Sequence, residues 1–148
     1  MSADPLQPHS HDNNLTPPDA DESITLIDPD NNTTRFTLQA LAALPQSQLI
    51  YSFATDHGTH GPYQLSGVAL RMLVDGVDFQ EVEVISTDGF GNRIFVQELA
   101  EGQPILLCTH SDGRPLDRKN GLIRLVVPSE TDNALRQIKW VTTIRLVR

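Results

Sequence analysis

Residues 121–147 read GLIRLVVPSETDNALRQIKWVTTIRLV, and this segment is the most informative part of the sequence. An apolar run, LIRLVV, is followed by a polar break and then by IKWVTTIRLV. Successive side chains of a strand point to opposite faces, so alternate residues of the closing run predict one shared face. That face would consist of Ile138, Trp140, Thr142, Ile144 and Leu146. We therefore expect two strands joined by a polar connection.

Shorter elements are predicted upstream of this unit. SITLI, residues 23–27, predicts a strand that closes in an Asp-Pro-Asp turn. FTLQALAAL, residues 36–44, predicts a short helix capped by Thr37. QLIYSFAT, residues 48–55, alternates as a strand does, and residues 56–64 are predicted to form a loop.

The remaining segments complete the predicted architecture. VALRMLVD, residues 68–75, predicts a short amphipathic helix with Val68, Met72, Leu73 and Val77 on its apolar side. VEVIS and RIFVQ flank the turn TDGFGN, which indicates a hairpin, and PILLCTH predicts another apolar strand. Roughly six or seven strands and about two or three short helices, which do not alternate regularly, predict an α+β fold with mixed or antiparallel sheets.

Length and cysteine content exclude several classes of protein. A chain of 148 residues fits one domain. Cys108 is the only cysteine, which excludes an intrachain disulfide, a Cys-based zinc site and an iron–sulfur cluster. No apolar run reaches the roughly 18 residues of a membrane helix, and residues 1–22 lack the basic start and apolar core of a secretory signal. We expect a soluble, cytoplasmic protein with no membrane partner.

The net charge of −8 is concentrated near the N-terminus. Seven of the 19 acidic residues precede Arg35, which is the first basic residue. The rest of the chain has 12 acidic and 11 basic residues and therefore predicts no nucleic-acid partner. Residues 1–22 are predicted to be a disordered, acidic, Pro-rich tail, and residues 23–148 a single domain. The alternative for the tail is an arm that binds a basic partner.

Several segments, in this order, resemble one known family. They are FTLQALAALP, LSGVALRMLVD, EVEVISTDGFGNRIFVQEL and ILLCTHSDGRPLDRKNGLIRLVVP, followed by the strand that begins with KWV. Together they resemble the sulfite-oxidase-like family of oxidoreductase molybdopterin-binding domains over roughly residues 33–147. The resemblance implies a sulfite-oxidase-like molybdopterin-binding fold. In catalytic members it also implies a cysteine thiolate that binds molybdenum directly.

That thiolate is missing from the segment where the resemblance implies it. The strand and loop before the G-V-x-L segment read IYSFATDHGTHGPYQLSGV and contain no cysteine. A hydroxyl from Ser52 or Thr55 is a poorer ligand for such a metal, because its proton is harder to remove. Cys108 lies two strands further along the chain and is interpreted as an inert packing residue. The sequence therefore predicts a short branch of the family without the molybdenum-ligating cysteine.

The loop DHGTHGPY provides the first candidate ligand-binding residues, Asp56, His57 and His60. Its glycines and proline indicate a tightly shaped loop that can direct these side chains to one point. His57 and His60 are also candidate metal ligands. The alternative is that the two imidazoles face water, because no third fixed ligand is evident.

Arg136 and Lys139, near the C-terminal polar break, are the second pair of candidates. The resemblance implies that this break helps to hold a pterin phosphate, and Arg124 lies on the strand before it. Arginine can bind a phosphate in bidentate fashion, and lysine supplies a point charge. Glu130 and Asp132 lie in the same break, so in the alternative interpretation the basic residues only balance these acids on a solvated face.

Two functional hypotheses follow, and whether the protein is an enzyme stays open between them. The chain has no G-x-S-x-G, phosphate-loop, dinucleotide-binding or H-E-x-x-H motif. The first hypothesis is a non-redox module without a cofactor, which binds a small molecule or a protein partner around the two candidate segments. The alternative is a molybdopterin-dependent oxidoreductase whose molybdenum has no cysteine ligand.

Overall fold

Two β-sheets form the framework of the protein. The structure, a computed structural model, describes residues 22–55, 58–100, 104–128 and 138–148, except for the side chains of residues 53–55. In this part of the chain the strands are β1 (Ser23–Ile27), β2 (Thr33–Thr37), β3 (Ser47–Thr55), β4 (Gly58–Ala69), β5 (Glu81–Ser86), β6 (Gly91–Phe95), β7 (Leu106–Ser111), β8 (Arg114–Pro115), β9 (Arg124–Val126) and β10 (Val141–Val147). The helices there are α1 (Leu38–Ala42), α2 (Leu70–Leu73) and α3 (Val96–Leu99).

The first sheet, called sheet A, has the strand order β2-β1-β10-β5-β6. Strands β1 and β10 pair in parallel, with Thr25 opposite Thr143, and the other pairs are antiparallel. The C-terminal strand predicted from the sequence therefore lies in the middle of the sheet, between β1 and β5.

The second sheet, called sheet B, has the order β3-β4-β7-β8, and β9 also pairs with β7. All its pairs are antiparallel. Strands β4 and β7 approach closely at Gly67, where a Cβ atom would lie 2.0 Å from the carbonyl oxygen of Leu107. Only glycine fits this position without displacing the backbone.

The main hydrophobic core joins the two sheets. Every other residue of the sheet A strands β1 and β5 is buried, as strand geometry requires when one face is covered. Removing a large aliphatic side chain of this kind from water contributes about 1.5–3 kcal/mol. The members of the main core include Ile24, Leu26, Val82, Val84, Ile94, Ile144 and Leu146 from sheet A, and Val68, Leu107 and Leu125 from sheet B. The α+β prediction with mixed sheets and short helices is confirmed.

The other face of sheet B carries a second, smaller apolar cluster. Leu107 on β7 belongs to the main core, whereas its neighbours Leu106 and Cys108 belong to this second cluster. The apolar run PILLCTH is therefore a strand buried on both faces, which explains its lack of alternation.

One predicted element upstream of β5 is wrong, and another is shorter than predicted. Residues 58–64 belong to the twelve-residue strand β4, not to a loop, although residues 56–57 lie outside the described structure. The predicted helix over residues 68–75 is limited to Leu70–Leu73 and buries Leu70 and Leu73, while Met72 is 42% exposed. The glycine, proline and histidine residues of this segment have low strand propensity, so the sequence did not predict a strand. Pairing with β3 and β7 outweighs that propensity.

The predicted face of the closing strand is also partly wrong. Trp140 has a positive φ of 56°, and the β10–β5 register shifts between Val141 and Thr143. Val141 is consequently buried, whereas Thr142 is only partly buried. Ile144 and Leu146 are buried as the alternation predicts.

The local turns follow the predicted chemistry. The Thr37 hydroxyl accepts a hydrogen bond from Ala40 N at 3.1 Å and caps α1. The Asp28 carboxylate accepts from the backbone N–H groups of Asp30 and Asn32, each at 2.9 Å. Hydrogen bonding to Asn32 is the main cause that lowers the pKa of Asp28. None of the described helices is long and apolar enough to cross a membrane.

Candidate functional site

A cleft of about 690 Å³ opens over the second apolar cluster of sheet B. This volume lies within the usual range of small-molecule sites. Its lining comes from β4, β7, β8 and β9, from the connection after β8 and from the start of the closing segment. The lining residues are His60, Tyr63, Leu65, Cys108, Ser111, Asp112, Arg114, Pro115, Leu116, Asp117, Lys119, Asn120, Arg124 and Lys139.

The floor of the cleft is apolar and aromatic. Leu65, Cys108 and Leu116 are buried there, and Tyr63 packs against them. Strand alternation places Arg124 on this same side, because its neighbour Leu125 belongs to the main core. The floor therefore combines an apolar surface with one guanidinium group.

One wall is formed by the connection from Asp112 to Asn120, which the sequence marks only as a run of turn residues. Leu116 anchors it by donating its backbone N–H to Thr109 O at 2.9 Å. The backbone N–H and the side-chain amide of Asn120 both donate to Asp117 Oδ1 at 2.8 Å. Asp112 Oδ1 accepts from Gln64 N at 2.9 Å, which ties the wall to β4. The carboxylates of Asp112 and Asp117 thus accept hydrogen bonds that hold this wall in place.

Basic groups outnumber acidic ones around the cleft. The charged lining residues are Arg114, Lys119, Arg124 and Lys139 on the basic side, and Asp112 and Asp117 on the acidic side. From Arg35 onward the chain has 12 acidic and 11 basic residues, so the cleft carries a local excess of positive charge on a nearly neutral background. A concave site of this sign attracts anions.

Trp140 holds in place the part of the cleft that carries Lys119 and Lys139. Its backbone N–H donates to Gly121 O at 2.8 Å, and its indole Nε1 donates to Arg118 O at 2.6 Å. Lys139 Nζ donates to Lys119 O at 3.2 Å. A Cβ atom at Gly121 would lie 2.9 Å from Lys139 Cβ, so glycine permits this close packing. These contacts hold Lys119 and Lys139 side by side at the cleft.

Cys108 and Arg124 are directly paired across β7 and β9. Burial raises the pKa of the Cys108 thiol to about 11, although the positive charge of Arg124 opposes this change. Burial also lowers the pKa of Arg124, a residue type that stays protonated in proteins. At neutral pH the pair is therefore a neutral thiol beside a guanidinium cation.

Two residues predicted from the sequence lie at the same cleft. His60 on β4 and Lys139 both line it, so the structure brings the two predicted segments to one concave site. Asp56, His57 and Arg136 lie outside the described residues. Within the described ranges, no group of three or more His, Cys, Asp or Glu side chains could hold a metal ion. The His57–His60 metal site stays a prediction.

Most of the basic residues that line the cleft were not predicted from the sequence. Arg114 and Lys119 were not candidates, because the connection SDGRPLDRKNG has the composition of an ordinary turn. One signal was available, since residues 114–124 contain four of the eleven basic residues of the chain. Cys108 also lines the cleft, because β7 pairs directly with β4.

The comparisons with known proteins agree with this architecture. The family described as "Oxidoreductase molybdopterin binding domain" matches residues 23–148, and the chain therefore belongs to this family. The sulfane dehydrogenase SoxCD from Paracoccus pantotrophus has a similar crystal structure, with a TM-score of 0.70 and 15% sequence identity. The match covers 99% of this chain and 49% of that chain, so this protein spans about half of its length. None of the curated proteins matches the chain.

The donor set of the cleft fits only one part of the family's cofactor. The basic groups suit an anionic phosphate. A thiolate ligand for molybdenum is not provided in the β3–β4 hairpin, which contains no cysteine, and Cys108 is a buried thiol with a pKa of about 11. Cys108, the only thiol of the chain, lies on β7 and not in that hairpin.

Proposed function

We propose that this member of the molybdopterin-binding domain family is a non-redox module that binds a small organic anion in the cleft of sheet B. The observation that carries the proposal is the excess of basic residues around a concave, partly apolar site in an acidic protein. The concave shape favours a small molecule over a protein partner, because protein interfaces are usually broad surfaces.

The lining defines the chemistry of the ligand. Arg124 offers a planar guanidinium that can bind a carboxylate or phosphate with two parallel hydrogen bonds. Lys119 and Lys139 add two point charges at neighbouring positions. Tyr63 and Leu65 provide an apolar surface beside these charges. The expected ligand therefore joins a phosphate or carboxylate to a compact apolar or aromatic body.

The position of Cys108 supports the non-redox part of the proposal. The resemblance implies a cysteine ligand for molybdenum in the segment that forms the β3–β4 hairpin, which contains none, and the only thiol of the chain is buried on β7. The hydroxyl of Ser52 is exposed on β3 but is a weaker donor for such a metal. Loss of the thiolate ligand would remove the oxo-transfer chemistry that the family resemblance implies.

The second candidate function is a molybdopterin-dependent oxidoreductase with a molybdenum centre that no cysteine ligates. The match to the family over residues 23–148 favours it. Elemental analysis and pterin fluorescence of protein purified from a molybdenum-replete host distinguish the two functions. Stoichiometric molybdenum in the wild-type protein would reject the non-redox proposal.

Binding of phenyl phosphate and benzoate, measured by titration calorimetry, tests the anion site. The variant Lys119→Gln/Lys139→Gln should weaken phenyl phosphate binding at least about tenfold, because charge-assisted hydrogen bonds contribute about 1.5–3 kcal/mol each. The control Arg71→Gln/Arg145→Gln removes the same charge from exposed residues outside the cleft and should retain affinity. Equal weakening in both variants would show a general charge effect instead of a binding site.

A further inference from the structure

The N-terminal segment joins the described structure beside the cleft. Glu22, the first described residue, is held by Leu38, whose backbone N–H donates to Glu22 O at 3.0 Å. The Glu22 carboxylate lies 3.9 Å from Arg118 Nη2. Arg118 stands between Asp117 and Lys119, and both of these neighbours line the cleft. The point at which residues 1–21 are attached therefore lies next to the connection that carries Lys119.

The charge of that segment is opposite to the charge of the cleft. Residues 1–21 contain four aspartates and no lysine or arginine; the aspartates are Asp4, Asp12, Asp19 and Asp21. In the cleft, the basic side chains of Arg114, Lys119, Arg124 and Lys139 line one cavity. Opposite charges on the two elements favour their association, most strongly at low ionic strength.

The last acidic residues of the segment stay close to Glu22 because the chain between them is short. Asp21 directly precedes Glu22, and Asp19 can lie at most about 10 Å from it, because an extended chain spans about 3.3–3.6 Å per residue. A segment joined to its own binding site by a short linker has an effective concentration in about the millimolar range. Individually weak ion pairs are then sufficient to keep the site partly occupied.

We propose that the acidic segment, residues 1–21, binds across the cleft of its own chain and competes there with the anionic ligand. The competition rests on the proposed anion-binding function, whereas the contact between segment and cleft does not. The segment acts as an internal counter-anion, so that ligands with a high negative charge density displace it and weakly charged molecules do not.

The test uses the full chain with two pairs of substitutions. Asp19→Asn/Asp21→Asn neutralises the part of the segment nearest to the cleft. Asp75→Asn/Asp78→Asn makes the same change in net charge at exposed residues. The Asp78 carboxylate lies 4.0 Å from Arg148, which follows the C-terminal end of β10. Lys139 precedes the other end of this seven-residue strand, and the strand is about 23 Å long.

Two measurements are made on each protein. The first is the amide ¹H–¹⁵N spectrum without ligand, in which Asp19→Asn/Asp21→Asn should shift the signals of Ser111, Lys119 and Asn120. The second is phenyl phosphate affinity, which this variant should raise about threefold at low salt, as exposed ion pairs predict. The gain should vanish at about 1 M salt, where the screening length is about 3 Å. The control variant should show neither effect.

The outcomes separate this inference from the proposed function. If the amide signals of the cleft and the phenyl phosphate affinity are the same in wild type and Asp19→Asn/Asp21→Asn, the segment does not bind the cleft, although the anion site stands. An equal gain in the Asp75→Asn/Asp78→Asn control also overturns the inference. If phenyl phosphate binds to no variant but the amide signals still shift, the anion-binding function fails and the contact stands.

Discussion

Cys108 and Arg124 occupy directly paired positions on β7 and β9, on the side of sheet B that forms the floor of the cleft. The guanidinium favours the ionised form of the thiol, but burial has the larger effect and raises the pKa of Cys108 to about 11. The pair therefore places a protonated thiol beside a cationic guanidinium, whose charge attracts anions.

The first prediction concerns the reactivity of Cys108. Alkylation by iodoacetamide needs the thiolate, so the native protein should react slowly at pH 8 and faster as the pH rises toward about 11. Urea-unfolded protein should react with a midpoint near the ordinary cysteine value of 9.0. Mass spectrometry of timed samples measures both rates. A native midpoint at or below 9.0 would contradict the buried, neutral thiol.

The raised pKa also has a consequence for stability. Between pH 9.0 and about 11 the unfolded chain loses the thiol proton while the folded chain keeps it. Stability from this group is therefore fully present below pH 9.0 and falls as the pH rises through that interval. The variant Cys108→Ala should lack this part of the pH dependence in urea titrations.

The second prediction separates binding from stability at Arg124. Arg124→Met should reduce phenyl phosphate affinity at least about tenfold, because it removes a charge-assisted, bidentate donor. Its free energy of unfolding should change by about 1 kcal/mol or less, since methionine keeps much of the side-chain volume and removes the cost of desolvating the guanidinium. Arg124→Lys, which keeps the charge but not the planar fork, should give an intermediate affinity.

Equilibrium unfolding in urea and calorimetric titration of the same samples measure the two effects. A variant that loses both stability and binding would indicate that Arg124 supports the sheet more than the ligand. Full affinity in Arg124→Met would place the anion elsewhere in the cleft.

The sequence predicts the fold better than it predicts the site, and the reason is physical. SITLI and VEVIS alternate because one face of sheet A is buried, and that pattern is visible in the residues themselves. The cleft depends on β4, β7 and β9 meeting in one sheet, which local sequence does not specify. His60 and Lys139 are 79 positions apart, and only this pairing brings them to one cavity.

At Trp140, too, the local sequence does not predict the observed conformation. Its tryptophan side chain fits the predicted strand face, but its positive φ of 56° turns the chain and breaks the alternation. The conformation is uncommon for a bulky residue and is supported by long-range hydrogen bonds to Gly121 O and Arg118 O. Those partners lie about twenty positions earlier in the sequence, outside any local pattern.

The third prediction tests this support. Trp140→Phe removes the Nε1 donor that holds Arg118 O and should lower the free energy of unfolding by about 1 kcal/mol. Phenyl phosphate affinity should fall slightly, because the turn that carries Lys119 loses one of its anchors. Phe90→Leu, at a residue that is 44% exposed, serves as a control and should stay within about 0.5 kcal/mol. Urea unfolding followed by circular dichroism compares the two variants.

The fourth prediction concerns the close approach of β4 and β7. Gly67→Ala would place a Cβ atom 2.0 Å from Leu107 O, which is backbone and cannot rotate away. The two strands must separate there, so the free energy of unfolding should fall by about 3 kcal/mol or more. Gly91→Ala is the matched control, because its Cβ would meet Val84 O at 3.3 Å, and its cost should be much smaller.

Urea unfolding of the two glycine variants gives their difference directly, and amide spectra show where the structure changes. Shifts should concentrate on residues around Cys108 in Gly67→Ala, and phenyl phosphate binding should weaken, because the strand that forms the cleft floor moves. Similar costs for the two variants would mean that sheet B tolerates the extra atom without separating its central strands. In that case the β4–β7 contact does not hold the cleft floor in place.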